Sequence, residues 1–136
     1  MRAEESAAFL ASRVEYQQQW WNESQSVLLA RVERVGSVQL RDDWGEAYDD
    51  SPRVFLRPVR WLKGSGSARR FRLSYDGMTS CGPYGGGDAV DGEVGEVFVV
   101  YVREGQPHQR SVIESLAPEN VVDPQVREML GQLEVR

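Results

Sequence analysis

The chain has 136 residues, of which 40% are apolar and 27% are charged, as in ordinary folded proteins and unlike disordered ones. At this length a hydrophobic core can form without metal ions or disulfide bonds. The formal net charge of −5 argues against attachment to nucleic acid or to an anionic membrane through bulk electrostatics.

The amino terminus reads MRAEESAAFLASRV and lacks the apolar core of a signal peptide. We therefore expect either a cytoplasmic protein whose native start is Met1, or an exported protein whose signal lies outside this sequence. The single cysteine, Cys81, cannot form a disulfide within the chain, so it indicates no compartment. Apolar runs such as residues 97–102 are too short to span a bilayer.

Residues 4–25 are predicted to form an amphipathic helix, because apolar side chains recur at three- and four-residue steps without glycine or proline. The apolar stripe contains Phe9, Leu10, Val14, Trp20 and Trp21. Such stripes usually face the protein's own core, so we expect this helix to cover a barrel end or a sheet face. The alternative is a partner-binding helix with exposed tryptophans.

Five strands are predicted from runs rich in β-branched and aromatic residues, at residues 26–40, 53–63, 68–75, 95–105 and 110–116. Pro58 suggests an edge position or a bulge in the second strand, because proline cannot donate to the ladder. The fourth strand is apolar on both faces, which predicts a central position. A short helix is predicted at 123–133, with Asp123 as its cap and Pro124 at its first position.

These elements predict one mainly β domain over residues 1–136. The strands at 26–116 would form a small closed barrel or a compact sheet, with the helices outside the strand block. An acidic loop at 41–52 would join the first two strands, and a long glycine-rich connection at 79–96 would join the third to the fourth.

The glycine-rich connection does not match known phosphate or metal loops. No lysine follows its glycines, and a strand follows where a phosphate loop would need a helix. Its acids, Asp88, Asp91, Glu93 and Glu96, do not have the spacing of a calcium-binding EF-hand. One cysteine and one histidine cannot form an ordinary zinc site. We therefore predict no cofactor and no metal site.

Nucleophilic catalysis would depend on Cys81 and His108, the only cysteine–histidine combination in the chain. His108 lies in the polar turn GQPHQ, where a histidine is usually just exposed, and no G-x-S-x-G motif occurs. The sequence favours a small buried cysteine and assigns no catalytic residue. A small cysteine-dependent enzyme remains the alternative.

A basic segment between residues 52 and 75 contains no acid and supplies a second alternative. In five-stranded barrels of the OB type, strands two and three form the usual face for single-stranded nucleic acid, where aromatic rings stack on bases and arginines follow the backbone. The candidate residues are Arg57, Arg60, Trp61, Arg70, Phe71 and Arg72. A solvated sheet face with paired neighbours is the favoured interpretation.

Three stretches, SVLLARVERV, VFLRPVRWLKG and TSCGPYGGGDAVDGEVGEVFVVYV, resemble the bacterial branch of the netrin-module superfamily, which includes the tissue inhibitors of metalloproteinases (TIMPs). The matching residues are 30–32, 59–64, 81–82 and 95–101, and the resemblance covers residues 26–116. It implies a five-stranded, OB-like Greek-key barrel with flanking helices in an exported protein that acts by binding.

In the resemblance, Cys81 occupies a position that family members often use for a disulfide, which here would need a cysteine upstream of the sequence. The TIMPs chelate the protease zinc through an amino-terminal cysteine, whereas this chain begins MRAEES. The resemblance therefore implies no metalloproteinase inhibition by that mechanism, unless residues upstream of this sequence supply both the amino-terminal cysteine and a partner for Cys81.

We predict a secreted or periplasmic binding module that contacts a protein or another ligand through loops at one barrel end. Exposed aromatic side chains on loops are typical anchors of binding surfaces. The candidates are Trp44 and Tyr48 in the acidic loop, and Tyr84 with Gly85 in the glycine-rich connection.

Overall fold

The structure is a computed structural model that describes residues 3–41, 44–79 and 82–134. Two helices flank the strands in sequence: α1 (Ala3–Glu23) and α2 (Pro124–Glu134). The strands are β1 (Ser26–Arg41), β2 (Ala47–Lys63), β3 (Phe71–Ser74), β4 (Gly77–Thr79), β5 (Gly82–Tyr84), β6 (Val97–Val102) and β7 (Val112–Leu116). Short 3-10 helices lie at Asp88–Asp91 and Pro118–Asn120.

Five strands form one antiparallel sheet in the order β3-β2-β1-β6-β7, and β4 with β5 forms a separate hairpin. The prediction of a mainly β protein with a helix before and a helix after five strands is confirmed. The sheet is open, with β3 and β7 as its edges, so the barrel remains a prediction. No described helix is both long enough and apolar enough to cross a membrane.

Both faces of the sheet carry a hydrophobic core, which explains why β6 is apolar at every position. On one face Leu28, Leu56 and Val100 pack with Ala89 and Val90 of the first 3-10 helix. The opposite face is covered by helices, and its members include Val27, Val99, Tyr101, Trp20, Trp21, Val126 and Leu130. This strand lies inside the sheet, as predicted, because β6 is paired with β1 on one side and with β7 on the other.

The carboxyl-terminal part of α1 closes the helix-covered face. The ring of Trp20 meets that of Tyr101 edge to face, with centroids 5.9 Å apart. Buried Gln17 accepts hydrogen bonds from the N–H groups of Val122 (2.8 Å) and Asp123 (3.1 Å). This amide holds the carboxyl-terminal part of α1 against the segment that enters α2. Only this end of the predicted apolar stripe therefore covers the sheet.

The amino-terminal part of α1 behaves differently, because Phe9 and Leu10 are 58% and 49% exposed. At the other end of the chain, α2 begins as predicted. The Asp123 carboxylate accepts a hydrogen bond from the Gln125 N–H (3.1 Å), and Pro124 is the first helical residue.

Two connections contain more structure than the sequence predicted. β2 begins at Ala47, so the expected acidic loop is mostly strand. The glycine-rich connection contains the β4–β5 hairpin and the first 3-10 helix. Pro58 lies at the predicted irregularity, since the register shifts between the pairs Leu29–Arg60 and Ala30–Pro58.

Candidate functional site

The β1–β2 pair extends beyond the rest of the sheet. β6 pairs with β1 only from Ser26 to Arg31, and β3 pairs with β2 only from Arg53 to Leu56. Residues 37–41 and 47–52 therefore pair only with each other and form a two-stranded ribbon. We call this ribbon the arm, together with the turn residues 44–46 and with residues 33–36 of β1, which lie beyond the pairing with β6 and lead into it. Most residues of the β1 half of the arm are exposed.

The glycine-rich connection lies at the base of the arm. β3 ends at Ser74, which pairs with Arg53, and β6 begins at Val97, which pairs with Arg31. Residues 75–96, which we call the excursion, therefore leave the sheet and return to it where the arm begins. The topology brings together, at one end of the sheet, the two segments that the sequence singled out for binding.

Apolar side chains are exposed in both the arm and the excursion. Trp44 at the turn of the arm is 79% exposed and Val35 on β1 is 50% exposed. In the excursion, Tyr84 is 50% and Val94 is 61% exposed. Val35 and Val94 line a common cavity, and Trp44 lies at the turn of the arm. We call the four side chains together the arm-end surface.

A cavity of about 260 Å³ opens between the arm and the excursion. Val35 and Pro52 form its arm side, and Val94 forms part of its excursion side. The buried side chains of Val54 and Val90 also line it, so the cavity reaches down to the core. The charged residues Arg53, Asp91 and Glu93 belong to its lining as well, so an apolar floor is bordered by charged side chains.

The four residues predicted to bind a partner differ in their local roles. Tyr84 pairs with Gly77 across β4–β5, and its ring covers that glycine: a Cβ there would lie 2.8 Å from the phenol oxygen. Gly85 has φ +88°, and a Cβ on it would lie 2.1 Å from a carboxylate oxygen of Asp76. Gly85 is therefore required by a close backbone approach. Tyr48 pairs with Leu40 in the arm, but its side chain lies outside the described part of the structure.

The middle of the excursion fills the space between β3 and β7. The Ser115 hydroxyl donates a hydrogen bond to the Gly86 carbonyl and accepts one from the Ala89 N–H. Asp88 accepts hydrogen bonds from the Ala117 N–H and the Asn120 amide, both at 2.9 Å. This part of the excursion has a structural role, as expected for a long connection between strands.

Two ionisable groups beside it have shifted pKa values. Burial, with a hydrogen bond to Asp91 as a further cause, raises the pKa of Tyr75 to about 12. Burial also raises the pKa of Glu114, which lies against Gly87.

A second open region lies between β3 and the turn at 107–110. This cavity of about 520 Å³, which we call the basic groove, is lined by Phe55, Arg70, Phe71, Arg72, Pro107, His108, Gln109 and Arg110. None of the described residues that line it is acidic. The guanidinium groups of Arg70 and Arg34 lie 5.3 Å and 5.2 Å from the centroid of the Phe55 ring, within cation–π distance.

The six residues considered for nucleic-acid binding do not form one continuous face. Arg70 and Arg72 are exposed in the basic groove, while Phe71 lies beneath them and is only 7% exposed. Arg57 pairs with Glu33 at 2.9 Å. Arg60 and Trp61 line a different cavity, of about 150 Å³, beside α2.

Sequence reasoning missed several members of the basic groove, among them Phe55 and Arg110. The signal for Phe55 was present, because it alternates with the core residues Val54 and Leu56 and had to lie on the opposite face. Arg110 carried no such signal, since it reaches the groove through a tertiary contact.

The alternative of a cysteine-dependent enzyme rests on Cys81, which lies outside the described residues. His108, its predicted partner, is exposed on the wall of the basic groove. Among residues 3–41, 44–79 and 82–134, no three histidine, cysteine or acidic side chains are grouped so that they could hold a metal ion.

Comparison with known proteins assigns no family: no protein-family model matches the chain, and neither a curated protein nor a solved structure matches it. Its function therefore has to be inferred from its own geometry.

Proposed function

We propose that the protein is an exported, non-catalytic binding module with an OB-like barrel of the TIMP-like type, and that it binds a partner protein through the arm-end surface. The observation that carries this proposal is the exposure of apolar side chains on two adjacent segments. Among the described large hydrophobic side chains that are exposed, Val35, Trp44, Tyr84 and Val94 belong to the arm and the excursion.

Tryptophan and tyrosine are the side chains most often found as energetic anchors of protein interfaces. Trp44 and Tyr84 would supply such anchors, and each is at least half exposed. The cavity between Val35 and Val94 offers a pocket for an apolar group of the partner. A protein with a complementary aromatic or aliphatic protrusion is therefore the class of partner that fits this end of the sheet.

An OB-like barrel requires the edge strands β3 and β7 to approach each other. Two polar side chains near these edges support that arrangement. The Gln109 amide accepts from the Ser74 N–H and donates to the Ser74 carbonyl, both at 2.8 Å, as a neighbouring strand would. The Ser115 hydroxyl on β7 holds Gly86 of the excursion. These bridges would close the barrel without direct strand pairing.

Affinity capture from an extract of the source organism tests the binding role. The baits are the wild-type chain, the Trp44→Ser/Tyr84→Ser double variant and a Tyr16→Ser control, whose tyrosine is 60% exposed on α1. We expect one protein to be retained by the wild type and the control. Its affinity for the double variant should fall by about tenfold or more, because two anchors are lost.

Retention of that protein by all three baits would contradict the arm-end surface. Thermal unfolding must first show that the double variant is folded, since Tyr84 covers Gly77. If it is not, Trp44→Ser alone provides the comparison. Export is tested separately by the reading frame upstream of Met1: a signal sequence is expected there, and translation that starts at Met1 would contradict export.

A further inference from the structure

We propose that the basic groove binds a small multivalent oxyanion, meaning a ligand that carries two or more phosphate or carboxylate groups. This site is separate from the arm-end surface and does not depend on the function proposed for that surface. It rests on the charge of the groove, on the way its walls are held, and on its volume.

The groove collects positive charge from two distant parts of the chain. Arg70 and Arg72 come from the β3 side, and Arg110 comes from the turn before β7. No described carboxylate lies within ion-pair distance of these three guanidinium groups. Although the chain has a net charge of −5, none of the described acidic residues forms an ion pair with these arginines. Guanidinium groups match phosphate and carboxylate oxygens in a two-pronged geometry, so a bound oxyanion would relieve their mutual repulsion.

His108 adds a further donor to the groove. The Arg110 N–H donates a hydrogen bond to His108 Nδ1 at 3.1 Å, so the neutral ring carries its proton on Nε2. Of the polar side chains that line the groove within the described part of the chain, only Gln109 offers an acceptor oxygen, and that oxygen already accepts a hydrogen bond from the Ser74 N–H. The groove therefore presents donors to a ligand, which selects for an anion.

The two walls of the groove are held together before any ligand binds. The Gln109 amide nitrogen donates to the Ser74 carbonyl at 2.8 Å and to Asp76 at 2.6 Å. Within the turn, the Ser111 hydroxyl accepts from the His108 N–H at 2.9 Å and donates to the Gln106 carbonyl at 2.8 Å. A site fixed in this way loses little conformational entropy on binding.

The volume of about 520 Å³ suits a metabolite-sized ligand. Single-stranded nucleic acid fits less well, because it requires exposed aromatic faces along a continuous cationic track. Phe71 is buried, and two arginines already lie against the ring of Phe55. The ring of Trp61 is covered by the next turn: a Cβ on Gly66 would lie 2.5 Å from it. The arginines therefore line a compact site and not a stacking platform.

Isothermal titration calorimetry at low ionic strength tests the site with two probes, tripolyphosphate and citrate. The test variant is Arg70→Gln/Arg110→Gln. The matched control, Arg31→Gln/Arg60→Gln, removes the same charge from another cavity beside α2, of about 470 Å³, which both Arg31 and Arg60 line. We expect saturable binding of at least one probe with a stoichiometry of one. The groove variant should bind it about tenfold more weakly or worse, and the control should bind it like the wild type. The preferred probe identifies phosphate or carboxylate as the recognised group.

Three outcomes would overturn the proposal. The first is no saturable binding of either probe by the wild type. The second is that both double variants bind the probe equally weakly, which would show that binding depends only on the overall charge of the protein. The third is tighter binding of a single-stranded oligonucleotide, with affinity that rises with its length, which would indicate an extended nucleic-acid face. Loss of the captured partner in the Trp44→Ser/Tyr84→Ser variant, with oxyanion binding intact, would show that the two sites are independent.

Discussion

The two halves of β1 pair with the same strand, yet they lie in opposite environments. In the first half, Val27, Leu28 and Val32 are at most 1% exposed, because this half also borders β6 and carries a core on each face. In the second half, which belongs to the arm, Val35 is 50% exposed. Backbone pairing is common to both halves, so the difference is in burial. We infer that the first half supplies stability and that the second half is free to serve recognition.

Removing equivalent apolar groups from the two halves is the strongest test of this difference. Leu28→Ala should lower the free energy of unfolding by about 2 to 5 kcal/mol, because it leaves a cavity in the core. Val35→Ala should change it by less than about 0.5 kcal/mol, because the site is solvated. Urea denaturation monitored by tryptophan fluorescence measures both. A large loss in Val35→Ala would mean that the arm is covered in solution, contrary to the 50% exposure of Val35.

The excursion also contains both a tightly packed position and an open one, and a glycine lies at each of them. Gly87 has φ +82° and ψ −163°, and a Cβ on it would lie 2.0 Å from Glu114 and 2.5 Å from the Ser115 carbonyl oxygen. Gly87→Ala should therefore cost about 2 to 4 kcal/mol, from backbone strain together with a clash that the backbone of β7 cannot avoid.

Gly95, at the base of the arm, is the matched control. Its φ is +96°, but a Cβ would have no neighbour within 4 Å. Gly95→Ala should cost only the conformational strain, about 1 to 2 kcal/mol. Equal losses of unfolding free energy in the two variants, measured by urea denaturation, would show that the excursion is not wedged between β3 and β7.

Patterns that depend on one segment were predicted well. The apolar run of β6 required cover on both faces, and the sequence Asp123-Pro124 marked the start of α2. The β1 half of the arm was predicted as strand, but its β2 half, residues 47–52, was missed for a physical reason. A ribbon with solvent on most of its surface needs no apolar alternation, so its acidic residues have the composition of a loop. Only backbone pairing, such as that of Val38 with Ser51, distinguishes it from one.

The candidate sites followed the same rule. The aromatic candidates of the arm and the excursion could be named from their loops. Phe71 was instead grouped with Arg72 on one nucleic-acid face, although the alternation along β3 turns Phe71 and Leu73 inward and Arg72 outward. The basic groove could not be predicted, because Arg110 meets the β3 side only through tertiary contacts such as that of Gln109 with Ser74. Short sequence motifs carry no information about contacts between residues that are so far apart in the chain.

The smallest expected effect concerns a charge inside the stable region. Burial raises the pKa of Glu114, with a nearby negative charge on Asp88 adding to the shift and a hydrogen bond from the Ser115 N–H opposing it. The folded protein therefore holds this proton at a pH where the unfolded chain has lost it. Wild-type stability should fall as the pH rises above the ordinary glutamate value of 4.5 and through the raised pKa of the folded state.

Glu114→Gln removes that charge while its amide oxygen can still accept the bond from the Ser115 N–H. The variant should be more stable than the wild type at neutral pH, and the difference should shrink as the pH falls through and below 4.5, where the wild-type carboxyl is neutral as well. Urea denaturation of both chains across this range measures the difference, with Glu128→Gln on the exposed face of α2 as the control for loss of one negative charge. A Glu114→Gln variant that is less stable than the wild type at neutral pH would show that the charged Glu114 makes a favourable contact. The excursion and β7 would then be held together at this point by a polar contact and not by burial.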